Sequence, residues 1–272
     1  MHYLVCIKQV PDTSEVKLDP VTNALDRRSA PSILNPYDAH AVEAAVKLRE
    51  KTDGKVTVIT MGPPMADAVV KKAVELGADG GVVITDRAFA GADTLATSYA
   101  LSQAIRKVGE EVPVDLIFAG KQAIDGDTAQ VGPGIARRLG IPVLTQVDQI
   151  ISIDTDKRVV SVRRRSDNGY EVVQSALPCL ITVEREINEL TYSSLPNMIK
   201  AARYNPLVWT TQDMEVDTNK LGFKGSPTVV SKIFAPPKQS VGELIEGTAD
   251  VAVGKVIEKL TSVHGLFAKE AE

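Results

Sequence analysis

The residues best suited to chemistry lie in GKQAIDGDTAQVGPG, residues 120–134. Gly120, Gly126, Gly132 and Gly134 permit tight turns and close backbone approach, and Asp127-Thr128 stands where a helical pattern begins, so free amide groups there can face a phosphate. The loop runs through Gly120, Lys121, Gln122, Ala123, Ile124, Asp125, Gly126, Asp127, Thr128, Ala129, Gln130 and Val131 before its last three residues. The loop is neither a Walker motif, since no Ser or Thr follows Lys121, nor a GxGxxG fingerprint, so a glycine-rich turn without a ligand is the competing reading. Asp125 and Asp127 read as helix-capping groups rather than a metal-binding pair. A weaker segment of the same kind is TDRAFAGADTLATS, residues 85–98, where Gly91 gives freedom and the hydroxyls of Thr94 and Thr97 at a helix start either receive an anion or cap the helix. No Ser/His/Asp or Cys/His arrangement and no hydrolytic carboxylate pair is evident, so any redox chemistry belongs to a cofactor that the chain positions. His2, His40 and His264 are scattered without zinc or di-iron spacing, and no metal is expected. Cys6 and Cys179 each sit in an apolar run and read as free buried thiols.

These loops need a scaffold, and the pattern around them supplies one. Apolar runs at 3–10, 55–62, 80–85, 114–120 and 141–147 read as strands, separated by helical patterns that include 36–50, 93–108 and 128–139, the first capped by Asn35 or Asp38. Strands alternating with helices predict a doubly wound, mostly parallel sheet with helices on both faces, because a parallel crossover needs a helix-length connection. A loop of hairpin character runs through Asn23. After residue 147 the grammar becomes antiparallel: QIISIDTD, KRVVSVRRRS and YEVVQSA, with turns at Asp156 and Asn168-Gly169, predict edge hairpins, and Arg163, Arg164 and Arg165 read as one solvated face. LPCLITV, residues 177–183, returns as a buried strand. The division expected is 1–184 as a nucleotide-binding α/β domain and 185–272 as a partner-wrapping arm, with Leu195, Met198, Ile199, Tyr204 and Trp209 its scattered apolar residues, a Pro-rich SKIFAPPKQS, and a final amphipathic helix from Ser240 to about Phe267, interrupted near Gly247 and Gly254.

Composition removes several classes. With 272 residues, 44% hydrophobic and 24% charged, the chain can bury a sizeable core, and a net charge of −4 gives no sequence-wide footprint for nucleic acid or an anionic membrane. The opening MHYLVCIKQV is too short an apolar stretch for a signal peptide or spanning helix, so the expected location is cytoplasmic.

CIKQVPD at 6–12, LNPYDAHAVEAA at 34–45, DLIFAGKQAIDGDTAQVGPGIARRLGIP at 115–142 and YSSLPNMIKAAR at 192–203 resemble the electron-transfer flavoprotein β family over nearly the whole chain. The resemblance implies a heterodimer with an α subunit that carries FAD, and an adenine nucleotide held here by Cys6, Asn35, Pro36, Tyr37, Asp38, Met61 and the 120–131 loop. Ordinary members of the family hold AMP; electron-bifurcating members hold a second FAD with NAD(H) beside it. TDRAFAGADTLATS resembles the bifurcating branch, which implies that Gly91, Thr94 and Thr97 contact NAD. In that branch NADH reduces the interface flavin, which sends one electron to ferredoxin and one through the α-subunit FAD to a flavin-containing dehydrogenase of acyl-CoA or lactate type. The resemblance also makes Leu195 the residue inserted into that dehydrogenase. The tail after 205 is less family-specific and leaves the dehydrogenase unnamed. Catalytic residues stay unassigned. Two rival readings keep the same loops: an AMP-holding docking subunit, and a regulatory, stress-type ATP-binding protein.

Overall fold

The computed structural model describes residues 1–12, 17–18, 25–26, 31–229, 231, 242 and 244–264. It divides into two compact units, Met1–Ile233 and Phe234–Glu272.

In the first unit β1 (His2–Cys6) is buried along its whole length, as a parallel strand covered on both faces must be. Short pairings follow: β2 (Gln9–Pro11) with β5 (Ser32–Leu34), and β3 (Lys17–Leu18) with β4 (Leu25–Asp26). That last pair is the described part of the hairpin expected through Asn23, which itself lies outside the described residues. Then come α1 (Pro36–Thr52), β6 (Lys55–Met61), α2 (Asp67–Glu75), β7 (Gly80–Ile84), α3 (Thr94–Glu111), β8 (Leu116–Gly120) and α4 (Val131–Leu139). β9 (Val143–Asp154), β10 (Val159–Ser166), β11 (Gly169–Ala176) and β12 (Cys179–Val183) complete the alternation, and α5 (Leu195–Arg203) and β13 (Leu207–Trp209) follow.

One nine-stranded sheet runs in the order β11-β10-β9-β12-β8-β1-β6-β7-β13. β9 to β13 in that order pair in parallel, while β10 and β11 form the antiparallel edge. The strand period of two sends Tyr3 and Val5 to the face covered by α1 and α2, where they meet Val46, Val58, Val70 and Phe118. Leu4 goes to the other face with Ile59, Leu101, Ile117 and Ile135, beneath α3 and α4. β1 therefore lies between β6 and β8, with crossovers on opposite faces. The crevice between the carboxyl ends of β1 and β8 is the switch point of the sheet, the position where ligands of such folds bind.

The doubly wound sheet and its antiparallel edge agree with the sequence reading, and four details differ. The fifth parallel strand and the first hairpin strand are one twelve-residue strand, β9, which pairs with β12 in its first part and with β10 in its second. The change of partner occurs near Gln146, at φ 57, whose N–H donates to the Thr182 hydroxyl. α4 starts at Val131, not at 128. The tail after 185 adds a strand: β13 pairs with β7 and extends the sheet, and Tyr204 is anchored by hydrogen bonds between its hydroxyl and the Gly81 backbone. In packing terms the first unit runs to Ile233, while the functional division at 184 and 185 stays a proposal.

In the second unit the described helix is α6 (Ala249–His264), and Gly254 lies inside it rather than interrupting it. Gly247 precedes it at φ 137. Most of the Pro-rich segment and the expected helix ends at Ser240 and Phe267 lie outside the described residues.

Candidate functional site

Asp38, in the first turn of α1, is buried at the switch point. Its Oδ2 accepts the Lys8 N–H at 2.8 Å and its Oδ1 accepts the Gly120 N–H at 3.1 Å, so one carboxylate joins the ends of β1 and β8. Gly120 is required there, because a Cβ would stand 2.4 Å from Asp38 Oδ1 and 2.6 Å from Tyr37 Cβ. Burial raises the Asp38 carboxyl to about 7, although the two N–H donors, Asn35 and Lys8 favour the charge. Cys6 is buried beside it, and the same desolvation pushes its thiol up.

Asn35 or Asp38 was expected to cap α1, and the N-cap position falls to Asn35. No side-chain cap bond forms there; instead its Nδ2 donates to the Gln122 carbonyl at 2.9 Å and its Oδ1 accepts the Ile124 N–H at 3.2 Å. The amide side chain sews the 120–127 loop to the entry of α1. Lys8 reaches the same loop through Asp125 at 2.8 Å, an exposed pair of the kind that contributes roughly 0–1 kcal/mol. Losing an acceptor for a buried N–H costs about 1–3 kcal/mol, so Asp38 and Asn35, rather than Lys8, set the loop's position.

Asp125 and Asp127 are not caps. Asp125 pairs with Lys8, and Asp127 accepts from Gln122 Nε2 at 2.8 Å. Asp127 and Ala129 hold φ of 48° and 53°, a left-handed conformation that costs roughly 1–2 kcal/mol for residues with a Cβ. They lead into α4, whose N-cap, Gln130, makes no side-chain cap bond. α3 differs: Asp93 Oδ1 accepts the Ala96 N–H at 3.0 Å, so a carboxylate already sits at that terminus. Of the two helix starts singled out, α4 is the one open to an external anion. Gly132 and Gly134 are packing glycines, whose missing Cβ atoms would stand 2.7 Å from Thr182 and 2.9 Å from Ser98. Gly126 has no atom within 4 Å of that position.

The two loops meet. The Thr94 hydroxyl donates to Gln130 Oε1 at 2.9 Å, joining the start of α3 to the start of α4. Met61 ends β6 on the same side of the sheet, and Pro36 and Tyr37 are half-buried beside Asp38. Leu195 is elsewhere, on α5, and is 69% exposed. Among the described residues no group of three or more His, Cys, Asp or Glu could hold a metal ion, and no helix is long and apolar enough to cross a membrane.

Sequence reasoning passed over a polar cavity of about 460 Å³ at the carboxyl ends of β8 and β12, lined by Tyr37, His40, Lys121, Arg165, Glu184, Arg185 and Glu186. Lys121 pairs there with the buried Glu184 at 2.8 Å. The arginine run, expected as one solvated face, divides its duties. Arg163 binds Asp148 at 2.9 Å, Arg164 turns toward Glu171 at 3.8 Å, and Arg165 lines the cavity. The signal was present in the strand period, which puts Arg163 and Arg165 on one face, but only the folded chain sets Arg165 on a cavity wall that Lys121 shares.

A doubly wound sheet, a loop held at its switch point and an uncapped helix start define an α/β protein with a ligand crevice at the ends of its strands. A model of the family described as electron transfer flavoprotein domain matches residues 22–211. Protein FixA of Azotobacter vinelandii is 49% identical over 280 residues, covering 100% of both chains. Electron transfer flavoprotein subunit beta of Thermoanaerobacterium thermosaccharolyticum is 47% identical over 265 residues, covering 97% of this chain and 99% of its own. The protein of that name from Clostridium acetobutylicum is 44% identical over 264 residues, with the same coverage. The chain belongs to the electron transfer flavoprotein family, as a β subunit of the FixA type that serves electron transfer.

The raised Asp38 has a consequence for stability. The folded chain keeps this proton between the ordinary value of 3.8 and about 7, where the unfolded chain has released it. Its contribution is therefore full below the ordinary value and is lost as the pH rises through about 7. Asp38→Asn is expected to lower stability by about 1–3 kcal/mol, since an amide offers one acceptor for two N–H groups, and to flatten this part of the profile. Urea midpoints measured across that range check it; an equal slope in both proteins would reject the assignment.

Proposed function

We propose that this β subunit pairs with an electron transfer flavoprotein α subunit and binds FAD in the crevice between the ends of β1 and β8, with NAD(H) beside it at the 85–98 segment. The observation that carries the reading is the uncapped start of α4 at the end of a loop sewn to the switch point by Asp38 and Asn35. When bound, FAD supplies hydride acceptance and the division of the electron pair. The chain's own residues do the positioning: Gly120–Gln130 presents backbone to the pyrophosphate, and the start of α4 offers its N–H groups to the charge. Cys6, Asn35, Pro36, Tyr37, Asp38 and Met61 frame the nucleotide. The 460 Å³ cavity alongside has the size of a small-molecule site and three cations, Lys121, Arg165 and Arg185, on its wall beside Glu184 and Glu186. Gly91, Thr94 and Thr97 belong to the NAD(H) side of the site, and the Thr94–Gln130 contact couples the two halves. Support for the bifurcating branch, with ferredoxin as the low-potential acceptor, is the resemblance carried by TDRAFAGADTLATS.

Docking is proposed at α5. Leu195, Met198 and Ile199 recur at helical spacing and are exposed, while Ala201 is buried and Lys200 is tied to the Ala78 carbonyl at 3.1 Å. The helix thus shows apolar side chains outward from an anchored inner face. A flavin-containing dehydrogenase of the acyl-CoA or lactate type is the partner proposed, with Leu195 as the inserted side chain.

The decisive measurement is the FAD and AMP released from the purified complex with the α subunit, followed by anaerobic NADH titration. A second FAD, no AMP and bleaching by NADH are expected; one FAD with one AMP would reassign the chain to a docking subunit. Since nothing in the protein meets a Cβ at Gly126, Gly126→Val should fold normally and weaken nucleotide retention by roughly tenfold, about 1.4 kcal/mol. Full nucleotide content in that variant would remove the loop from the site. Leu195→Ala should slow electron transfer to the dehydrogenase by about tenfold with flavin content unchanged, as for truncation of a buried anchor. Stopped-flow rates equal to the parent's would exclude the anchor.

A further inference from the structure

Gly91 does not present its open side to solvent. At φ 71, the Cβ it lacks would stand 2.2 Å from Phe223 Cζ and 2.3 Å from both Cε atoms. Near-equal distances to these atoms place the missing Cβ over the face of the ring, not beyond its edge. One face of Phe223 is therefore laid on the Gly91 backbone. The residue is nonetheless 67% exposed, so the opposite face is open.

The backbone that carries the ring is held from both directions. The Phe223 N–H donates to the Ala90 carbonyl at 3.1 Å. Gly222, at φ 48, passes so close that a Cβ would stand 2.3 Å from the Ala88 carbonyl. Further on, the Ser226 hydroxyl accepts the Asp93 N–H at 2.8 Å and the Thr228 hydroxyl donates to Asp93 Oδ2 at 2.8 Å. At the other end of the loop the Thr211 hydroxyl donates to Asp86 Oδ2 at 2.6 Å. Residues 211–228 are thus a strap fastened to both ends of the 86–93 loop. A large apolar ring kept in the open by this many contacts is a prepared surface, because an unfastened Phe would turn to cover its area.

We propose that the outer face of Phe223 is a stacking platform for a planar ring of the nicotinamide dinucleotide, and that Gly91 serves the site by seating Phe223 rather than by touching the ligand. The inference rests on the assignment of NAD(H) to the 85–98 segment and adds the residue that recognises it. A π-face accepts any flat heteroaromatic ring, and the loop that carries it is joined through Thr94 and Gln130 to the start of α4, where the flavin nucleotide is proposed.

Calorimetric titration of NAD+ into the complex with the α subunit tests this without turnover. Phe223→Ala should weaken NAD+ binding by roughly tenfold, the usual size of a lost aromatic stack, while Phe223→Trp keeps it and FAD content is unchanged in both. In the Phe223→Ala background, adding Gly91→Ala should weaken binding no further, since the ring it seats is gone. Unchanged or tighter NAD+ binding in Phe223→Ala overturns the platform, the second result making the ring a plug; so does loss of assembly with the α subunit, which would give the ring to the interface. An additive loss in the double variant overturns the seating role of Gly91. If the parent complex itself fails to bind NAD+, the assignment of the segment falls together with the platform, an outcome distinct from a parent that binds and variants that do not differ.

Discussion

A parallel sheet whose crossovers leave in opposite directions parts at its switch point, and here that gap is bridged by one buried carboxylate. Asp38 holds the N–H groups of Lys8 and Gly120, so the ends of β1 and β8 are fixed to each other and to the first turn of α1. Two backbone donors otherwise unmet would cost about 1–3 kcal/mol each, more than any exposed ion pair nearby contributes. The position of the 120–130 loop, and with it the start of α4, follows from this contact and from the two bonds of Asn35. The same burial that makes the bridge strong makes its charge unfavourable, which is why the carboxyl is raised to about 7.

From that fixed loop the site extends by contact to the next one. Thr94 touches Gln130, the 86–93 loop leads into α3, and the strap from Thr211 to Thr228 fastens the loop at both ends. The tail is therefore part of the apparatus around the site as well as a connection onward. Its strand β13 closes the sheet beside β7, and the hydroxyl of Tyr204 meets the Gly81 backbone, so the segment that carries α5 is anchored before it reaches solvent. An exposed apolar face on an anchored helix is stiff enough to bind without first losing its own freedom, which favours recognition by α5 over recognition by a loose arm.

The starts of α3 and α4 differ in what already occupies them. α3 receives the Asp93 carboxylate, a favourable partner for the positive end of its dipole and a repulsive one for phosphate. α4 has no such cap, and the left-handed Asp127 and Ala129 before it store strain that a simple turn would avoid. The two loops thus divide into one that can face charge and one that offers a flat apolar surface through Phe223.

The order of elements was legible because it depends on local chain chemistry: buried runs such as His2–Cys6 and Cys179–Val183, helical spacing between them, and turn residues such as Asn168-Gly169. The family was legible too, since motifs like GKQAIDGDTAQVGPG keep their residues together in sequence. Pairings between distant positions were not. Asn35 looked like a cap because its neighbours alone suggest one, and it became a bridge only when the fold set Gln122 and Ile124 against it. Arg165 looked like one of three solvated charges until the fold set it on the wall of a cavity that Lys121 shares. Gly91 read as a point of backbone freedom, and the structure lays Phe223, more than a hundred residues later, across it. Residue types and their local spacing thus determined the elements and the kind of site, whereas tertiary packing decided which side chains face it, because that depends on contacts between segments that the chain order leaves far apart.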